Sequence, residues 1–183
     1  QLVLDEPRAF TGFKARLVNF TNVRNYLALV GPECKELDGI VGYYGEQLVL
    51  LAQSLGLNSC WVGGTYKVVN RAYNVDLGQK LAAVVALGYG ASQGVPHRSK
   101  APQEVAPGYD GAPEWFKRGV DAALLAPTAL NQQKFSFSLD GEENDVPVVR
   151  ASTKRGAFTQ MDLGIAQCHF EIGAGNVLYR WSE

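Results

Sequence analysis

The sequence predicts an α+β fold, a layered and mixed sheet flanked by helices. Two observations indicate this class: apolar runs of strand length alternate with segments of helical periodicity, and both kinds of segment occur in each half of the chain. With 46% hydrophobic and 19% charged residues, the 183-residue chain can bury a core of ordinary size. We therefore expect one domain over residues 1–183, with two pseudo-symmetric halves (about 1–95 and 110–183) joined by a loop.

Three segments of the first half have clear patterns. The apolar run Val23–Val30 predicts a strand that ends in a turn. Apolar residues recur at helical spacing between Tyr44 and Leu55, and Gly56 follows where a left-handed C-cap would stand. The continuous apolar run Leu81–Leu87 predicts a strand buried on both faces.

The second half follows a segment rich in Pro, Gly and Ser, Ala91–Pro113, which predicts a long connecting loop. A helix is predicted directly after this loop, because proline is favoured at a first helical turn and the following residues form an apolar stripe, Phe116, Val120, Ala123 and Leu124. Alternating polar and apolar residues over 134–139 predict a half-buried strand that turns at Asp140-Gly141. A helix over about Met161–Ile172 and a strand over Asn176–Trp181 close the chain.

Charge and composition narrow the function. The net charge of −1 and the scattered basic residues argue against nucleic acid as a partner. No apolar run approaches the ~18 residues that span a bilayer, so no membrane partner is expected. Cys34, Cys60 and Cys168 lie far apart and form no C-x-x-C pair, which predicts neither disulfides nor a metal site and favours a cytoplasmic location.

Two glycine-rich or basic segments could contact a phosphate. Gly88–Gly94 differs from the dinucleotide-binding fingerprint by one residue in the spacing of its glycines. The segment after it is not predicted to be a helix, so a Rossmann-type dinucleotide site is disfavoured. Further along, Arg98 and Lys100 flank Ser99 and could bind a phosphate monoester through charge-assisted hydrogen bonds. The alternative interpretation of this tripeptide is a solvated surface loop.

The segment Gly56–Gly64 leaves the predicted helix and ends in two adjacent glycines. Gly63 and Gly64 would let the backbone approach a flat ligand closely. The alternative is an ordinary transition from strand to loop, with Trp61 in the core and Cys60 packed as a buried thiol.

Neither histidine has a clear catalytic context. His169 lies on the apolar face of the last predicted helix, which favours a hydrogen-bonded core histidine. His97, on the basic loop, is the better candidate for contact with a ligand. The acidic residues 142, 143 and 145 are interpreted as a solvated hairpin tip rather than a metal site.

Taken together, these segments resemble the nitroreductase family, in the branch where the usual order of motifs is rearranged. Gly45–Gly64 resembles a family helix followed by the G-L-G-T-C-W-[IVL]-G-G signature. Ala126–Phe135 resembles the A-P-S-A-x-N-x-Q-P-W-x-F signature, with Thr in place of Ser, Lys in place of Pro and the Trp omitted. Leu87–Lys100 resembles the G-Y-P loop with its basic cluster, and Met161–His169 resembles the late helix of this branch.

The resemblance implies an enzyme that binds flavin mononucleotide (FMN). Backbone amides of residues 62–64 would lie near flavin N5 and O4, Thr128 and Asn131 would contact the ring or ribityl chain, and the basic loop would hold the phosphate. No catalytic side chain is implied, because the flavin carries the chemistry. The cofactor-binding residues predicted in this way are Trp61, Val62, Gly63, Gly64, Arg98, Ser99, Lys100, Thr128 and Asn131.

One family feature is missing from the start of the sequence. Family members open with an R-R-S-x-R segment whose basic side chains grip the cofactor, whereas Arg8, Lys14 and Arg16 do not form that pattern. Either the matching segment precedes Gln1, or the phosphate is held by fewer cations.

The expected activity is ping-pong reduction of a small acceptor, a nitroaromatic or a quinone, with NAD(P)H as the transient reductant. Two alternatives stay open: a flavin-binding protein without turnover, acting as a sensor or cofactor store, and a relative that binds no flavin. The reversed motif order also predicts that one chain carries a complete FMN site between its own halves. The chain would then be a monomeric pseudo-dimer, although a homodimer is compatible with the same motifs.

Overall fold

The computed structural model describes residues 1–13, 18 and 20–182, which group into two compact units. The first unit comprises Gln1–Val41 and Gly45–Val95, and the second comprises Gly42–Tyr44 and Pro96–Glu183. Lys14 and Arg16, noted above, lie outside the described residues. No helix among the described residues is long and apolar enough to cross a membrane.

The described residues confirm the α+β class. Their strands are β1 (Leu2–Val3), β2 (Asn25–Pro32), β3 (Asn58–Val62), β4 (Gln79–Gly88), β5 (Phe135–Glu143), β6 (Val146–Thr153) and β7 (Arg180–Trp181). Their α-helices are α1 (Leu37–Ser54), α2 (Pro102–Val105), α3 (Glu114–Ala123) and α4 (Thr159–Ala174). Short 3-10 helices cover Pro7–Phe10, Tyr109–Gly111 and Ala129–Asn131.

The first unit contains a four-stranded antiparallel sheet with the order β1-β2-β4-β3. Strand β4 lies inside this sheet, and Ala83–Ala86 are buried at its centre, as its uninterrupted apolar run predicted. The predicted strand over 23–30 is also confirmed, and it continues through Pro32 as β2. Strand β3 lies at the edge, which places the end of the glycine-rich segment at the border of the sheet.

Helix α1 begins at Leu37, well before Tyr44, and Gly56 follows it with φ +78°, the left-handed conformation expected there. The large apolar residues of the predicted pattern face outward: Leu51 is 53% exposed, and Tyr44, Leu48 and Leu55 are exposed as well, whereas Leu37 in the first turn is buried. In the first unit the helix packs through small residues, because a Cβ at Gly45 would lie 2.4 Å from the Trp61 ring. The apolar pattern therefore predicted the helix but did not identify its packed face.

The second unit contains a three-stranded sheet with the order β5-β6-β7, in which β5 and β6 are antiparallel and β6 and β7 are parallel. The predicted turn at Asp140-Gly141 is wrong, because β5 continues to Glu143 across a bulge and the chain turns at Asn144-Asp145. Gly141 has φ +89°, so the glycine marks the bulge rather than the turn. Strand β6 was not predicted, and the closing strand is shorter than 176–181.

Helices α3 and α4 complete the second unit around an aromatic core. Phe116 and Val120 are fully buried on α3, as the predicted apolar stripe required. The ring of Phe170 on α4 lies 5.5 Å from that of Phe116 and stacks at 4.8 Å on Phe137 of β5. The segment predicted as a connecting loop, Ala91–Pro113, contains α2 and a 3-10 helix instead of irregular chain alone, and from Pro96 onward it belongs to the second unit.

Candidate functional site

In the first unit, the site residues predicted from the glycine-rich signature follow one another along β3 and its exit. The Trp61 Nε1–H group donates a hydrogen bond of 2.8 Å to Oε2 of Glu46, whose side chain is 1% exposed. The indole is thus held by α1, while Val62 is buried and Gly63 and Gly64 are exposed just after the strand. The exposed backbone of Gly63 and Gly64 therefore lies directly after a strand whose tryptophan, Trp61, is packed against α1.

Cys60 is not set up as a nucleophile. It lies on the edge strand β3 with an exposed side chain, so the expectation of buried packing is wrong. The partial burial of its sulfur raises the pKa of the thiol, which keeps it protonated at neutral pH. Its S–H group donates a weak hydrogen bond to the carbonyl of Trp61.

In the second unit, Arg98, Ser99 and Lys100 form a loop that is anchored mainly through its backbone. The Ser99 hydroxyl donates to the Leu124 carbonyl at 3.0 Å, and Lys100 Nζ donates to the Gln133 carbonyl at 2.6 Å. The Arg98 side chain is exposed. The hydroxyl predicted to assist phosphate binding is therefore already engaged as a donor.

The charges of this loop are not neutralised by the protein. Within the parts of the chain that the structure describes, no carboxylate forms an ion pair with Arg98 or Lys100. Two other arginines of the same unit do have carboxylate partners: Arg150 bonds to Asp140, and Arg180 to Glu143. Two cations without a carboxylate partner can attract an anionic ligand without first breaking an ion pair.

Thr128 and Asn131 lie in a turn that contacts this loop directly. Asn131 Nδ2 donates to the Arg98 carbonyl at 2.9 Å, and the Thr128 hydroxyl oxygen accepts the backbone N–H of Gln133 at 3.1 Å. Leu130, Asn131 and Gln133 have φ values of 52°, 53° and 42°, in the left-handed region that non-glycine residues rarely adopt. The structure thus brings five predicted site residues, Arg98, Ser99, Lys100, Thr128 and Asn131, into one network.

Two residues of this network were not predicted as site residues. Gln133 is 3% exposed, and its side chain joins the turn to the basic loop. Asp162 on α4 is 4% exposed and supports the turn from the other side, accepting from Ala129 N–H at 2.9 Å and from Gln132 Nε2 at 2.7 Å. Both occur in the segments that resemble family motifs, but their partners are distant in sequence and no spacing rule indicates them.

The two histidines are both partly buried. His169 is half-buried on α4 beside buried Cys168, in agreement with a core position. The ring of His97 is also half-buried, and neither of its nitrogens has a hydrogen-bond partner among the described residues. In the same described set, no three His, Cys, Asp or Glu residues are grouped as a metal site would require.

Asp162 gives a test of how the turn is supported. Asp162→Ala should lower the free energy of unfolding by about 1–3 kcal/mol, because it removes the acceptor of the Ala129 N–H group and one of the two acceptors of Gln132 Nε2. Asp162→Asn should cost less, since one acceptor oxygen remains. Chemical denaturation of the two variants and the wild type measures both effects.

The same residue predicts a pH dependence of stability. Burial raises the pKa of Asp162 above 3.8 in the folded state, so the unfolded chain releases this proton first as the pH rises. The contribution of Asp162 to wild-type stability should therefore decline as the pH rises from about 3.8 through the raised value, and Asp162→Asn should lack this decline. Parallel pH profiles of the two proteins would contradict the assignment.

Comparison with known proteins now gives the family. Residues 1–174 match the family described as "Putative TM nitroreductase". A crystal structure described as a "putative nitroreductase" from Thermotoga maritima matches with a TM-score of 0.60 and 21% sequence identity, over 80% of this chain and 58% of that one. At this identity the likeness shows the fold, and the chain spans well under two thirds of that protein's length. No curated protein matches the chain. Because the family match covers nearly its whole length, the chain belongs to this nitroreductase family, as its motifs predicted.

Proposed function

We propose that the chain is an FMN-dependent oxidoreductase that uses NAD(P)H to reduce small electron-poor acceptors such as nitroaromatics and quinones. The observation that carries this proposal is the pair of unneutralised cations, Arg98 and Lys100, in one network with Thr128 and Asn131. A phosphate monoester is close to a dianion at neutral pH. An arginine fork and a lysine point charge suit such an anion, so the residues present fit the phosphate end of FMN.

The glycine pair in the first unit has an exposed backbone that suits the flat ring of a flavin. Gly63 and Gly64 are exposed and carry no side chain that would keep a flat ring away from the backbone. Their N–H dipoles, fixed at the end of a strand, would stabilise negative charge on a ligand without reorganising. When bound, FMN would supply the hydride transfer chemistry, and the protein would supply placement and electrostatics. We assign no side chain as catalytic acid, base or nucleophile.

A second candidate function is flavin binding without turnover, as a sensor or cofactor store. This candidate needs the same phosphate-binding residues but no transfer of electrons to or from the flavin. The enzyme and the binding protein differ in whether the bound flavin is reduced, which is directly measurable.

We further propose a cytoplasmic location. Cys34 and Cys60 are exposed free thiols, and exposed thiols persist best in a reducing compartment. Cell fractionation followed by detection of the protein checks this proposal.

Redox turnover is the first test of the proposed function. We expect oxidised flavin in the purified protein to be bleached by NADH or NADPH under anaerobic conditions and restored by a quinone or nitroaromatic. Initial rates measured against both substrates should give parallel lines, as a ping-pong cycle requires. A bound flavin that neither nicotinamide bleaches would favour the binding protein, and a chain that retains no flavin at all would remove both candidates.

Stoichiometry is the second test. Because one chain carries both family signatures, we expect one FMN per chain without the need for a partner subunit. Light scattering combined with flavin quantitation measures mass and cofactor content together. A protein that binds FMN only as a dimer would contradict this expectation.

The phosphate assignment is the third test. Arg98→Ala should weaken FMN binding by about 1.5–3 kcal/mol, the range for a hydrogen bond to a charged group, and should hardly change the affinity for riboflavin. Arg155→Ala is the matched control, since Arg155 is an exposed arginine of the same unit outside the basic loop. Titrations of both flavins by fluorescence quenching provide the measurement. An equal loss of affinity for riboflavin would show that Arg98 does not hold the phosphate.

A further inference from the structure

The carboxamide of Gln133 is bonded to both ends of the basic loop. Its Nε2 group donates to the Arg98 carbonyl at 2.8 Å and to Asn131 Oδ1 at 2.7 Å, while its Oε1 accepts the Lys100 N–H at 2.9 Å. Lys100 Nζ also donates to the main-chain carbonyl of Gln133. Both donors of this buried amide are used, and its oxygen has a partner.

The backbone of the turn is held in an unfavourable conformation at the same place. Gln133 has φ 42°, and Asn131, which contacts its side chain, has φ 53°. Non-glycine residues in this region persist when surrounding contacts over-determine them, and such positions cluster where a protein contacts a ligand. The hydrogen bonds of the Gln133 carboxamide supply contacts of this kind.

The basic loop has no regular structure of its own to fix it. Residues 96–100 belong to neither a helix nor a strand, and the side chain of Arg98 extends into solvent. The loop is anchored at the Arg98 carbonyl, the Ser99 hydroxyl and the Lys100 N–H group. Gln133 is the partner of the Lys100 N–H group and shares the Arg98 carbonyl with Asn131 Nδ2. Removing the carboxamide would leave the Lys100 N–H group without this acceptor and the Arg98 carbonyl with one donor fewer.

We infer that Gln133 is a positioning residue that holds Arg98 and Lys100 in the arrangement that receives the phosphate of the flavin. The inference rests on the proposed function for the identity of the ligand. The physical basis is preorganisation: a loop already ordered loses less conformational freedom when it binds an anion. Gln133 itself need not touch the phosphate.

The first experiment measures the loop without any cofactor. Gln133→Met keeps the length of the side chain but removes the carboxamide, and limited trypsin digestion reports on the Arg98-Ser99 bond, which must become locally unfolded to be cleaved. We expect cleavage about tenfold faster than in the wild type, the effect of losing one or two buried hydrogen bonds. Cleavage after Lys67, in the first unit, should keep its wild-type rate.

Two further variants serve as a control and as a second test in this digestion experiment. Gln103→Met removes an equivalent carboxamide on α2 that bonds to Asp110 and not to the loop, so it should leave cleavage after Arg98 unchanged. Gln133→Glu keeps the size of the side chain and an acceptor for Lys100 N–H, but it cannot donate to the Arg98 carbonyl. It should therefore expose the loop as Gln133→Met does, and it provides the same test if the methionine variant does not fold.

The second experiment connects the loop to the cofactor. In Gln133→Met the Kd for FMN should rise about tenfold, whereas the Kd for riboflavin should change by less than about twofold, because only FMN has the phosphate. A purely structural role would weaken both flavins alike, and that result would overturn the inference. Unchanged cleavage after Arg98 in both Gln133 variants would overturn it as well. If the wild type binds neither flavin, the proposed function fails, while the digestion still decides whether Gln133 orders the loop.

Discussion

The candidate site of the second unit depends on the need of one buried amide for hydrogen-bond partners. The carboxamide of Gln133 is almost fully removed from water, so its polar atoms must be satisfied within the protein. The partners that satisfy it are the main chain of the basic loop and the side chain of Asn131. Satisfying this amide therefore also fixes where the loop lies. Asp162 supports the same turn through Ala129 and Gln132.

The electrostatic character of the site follows from which charges are left without partners. The chain as a whole is nearly neutral, and the ion pairs between its described residues lie mostly at the surface, where each contributes little stability. Arg98 and Lys100 have no carboxylate partner within the described part of the chain, and both belong to the one loop that Gln133 anchors. Local positive charge is thus available for a ligand although the protein has no positive field overall.

The glycine-rich segment combines a packed tryptophan with an exposed pair of glycines. Trp61 is held by Glu46 and passes close to Gly45, so its side chain belongs to the packing of α1 on the sheet. The two glycines that follow are exposed because the strand ends there. The packed tryptophan and the exposed backbone are therefore features of different residues of the same segment.

The sequence by itself determined the α+β class, the strands β2 and β4, the buried apolar face of α3 and the family. These depend on local periodicity and on short motifs, which are properties of neighbouring residues. Only the tertiary structure decided that Gly45, rather than Leu48 or Leu51, lies on the packed face of α1, that β5 continues past Gly141, and that Gln133 and Asp162 support the site. The partners of Gln133 and Asp162 lie some thirty residues away, and no local pattern encodes which buried polar groups will satisfy each other.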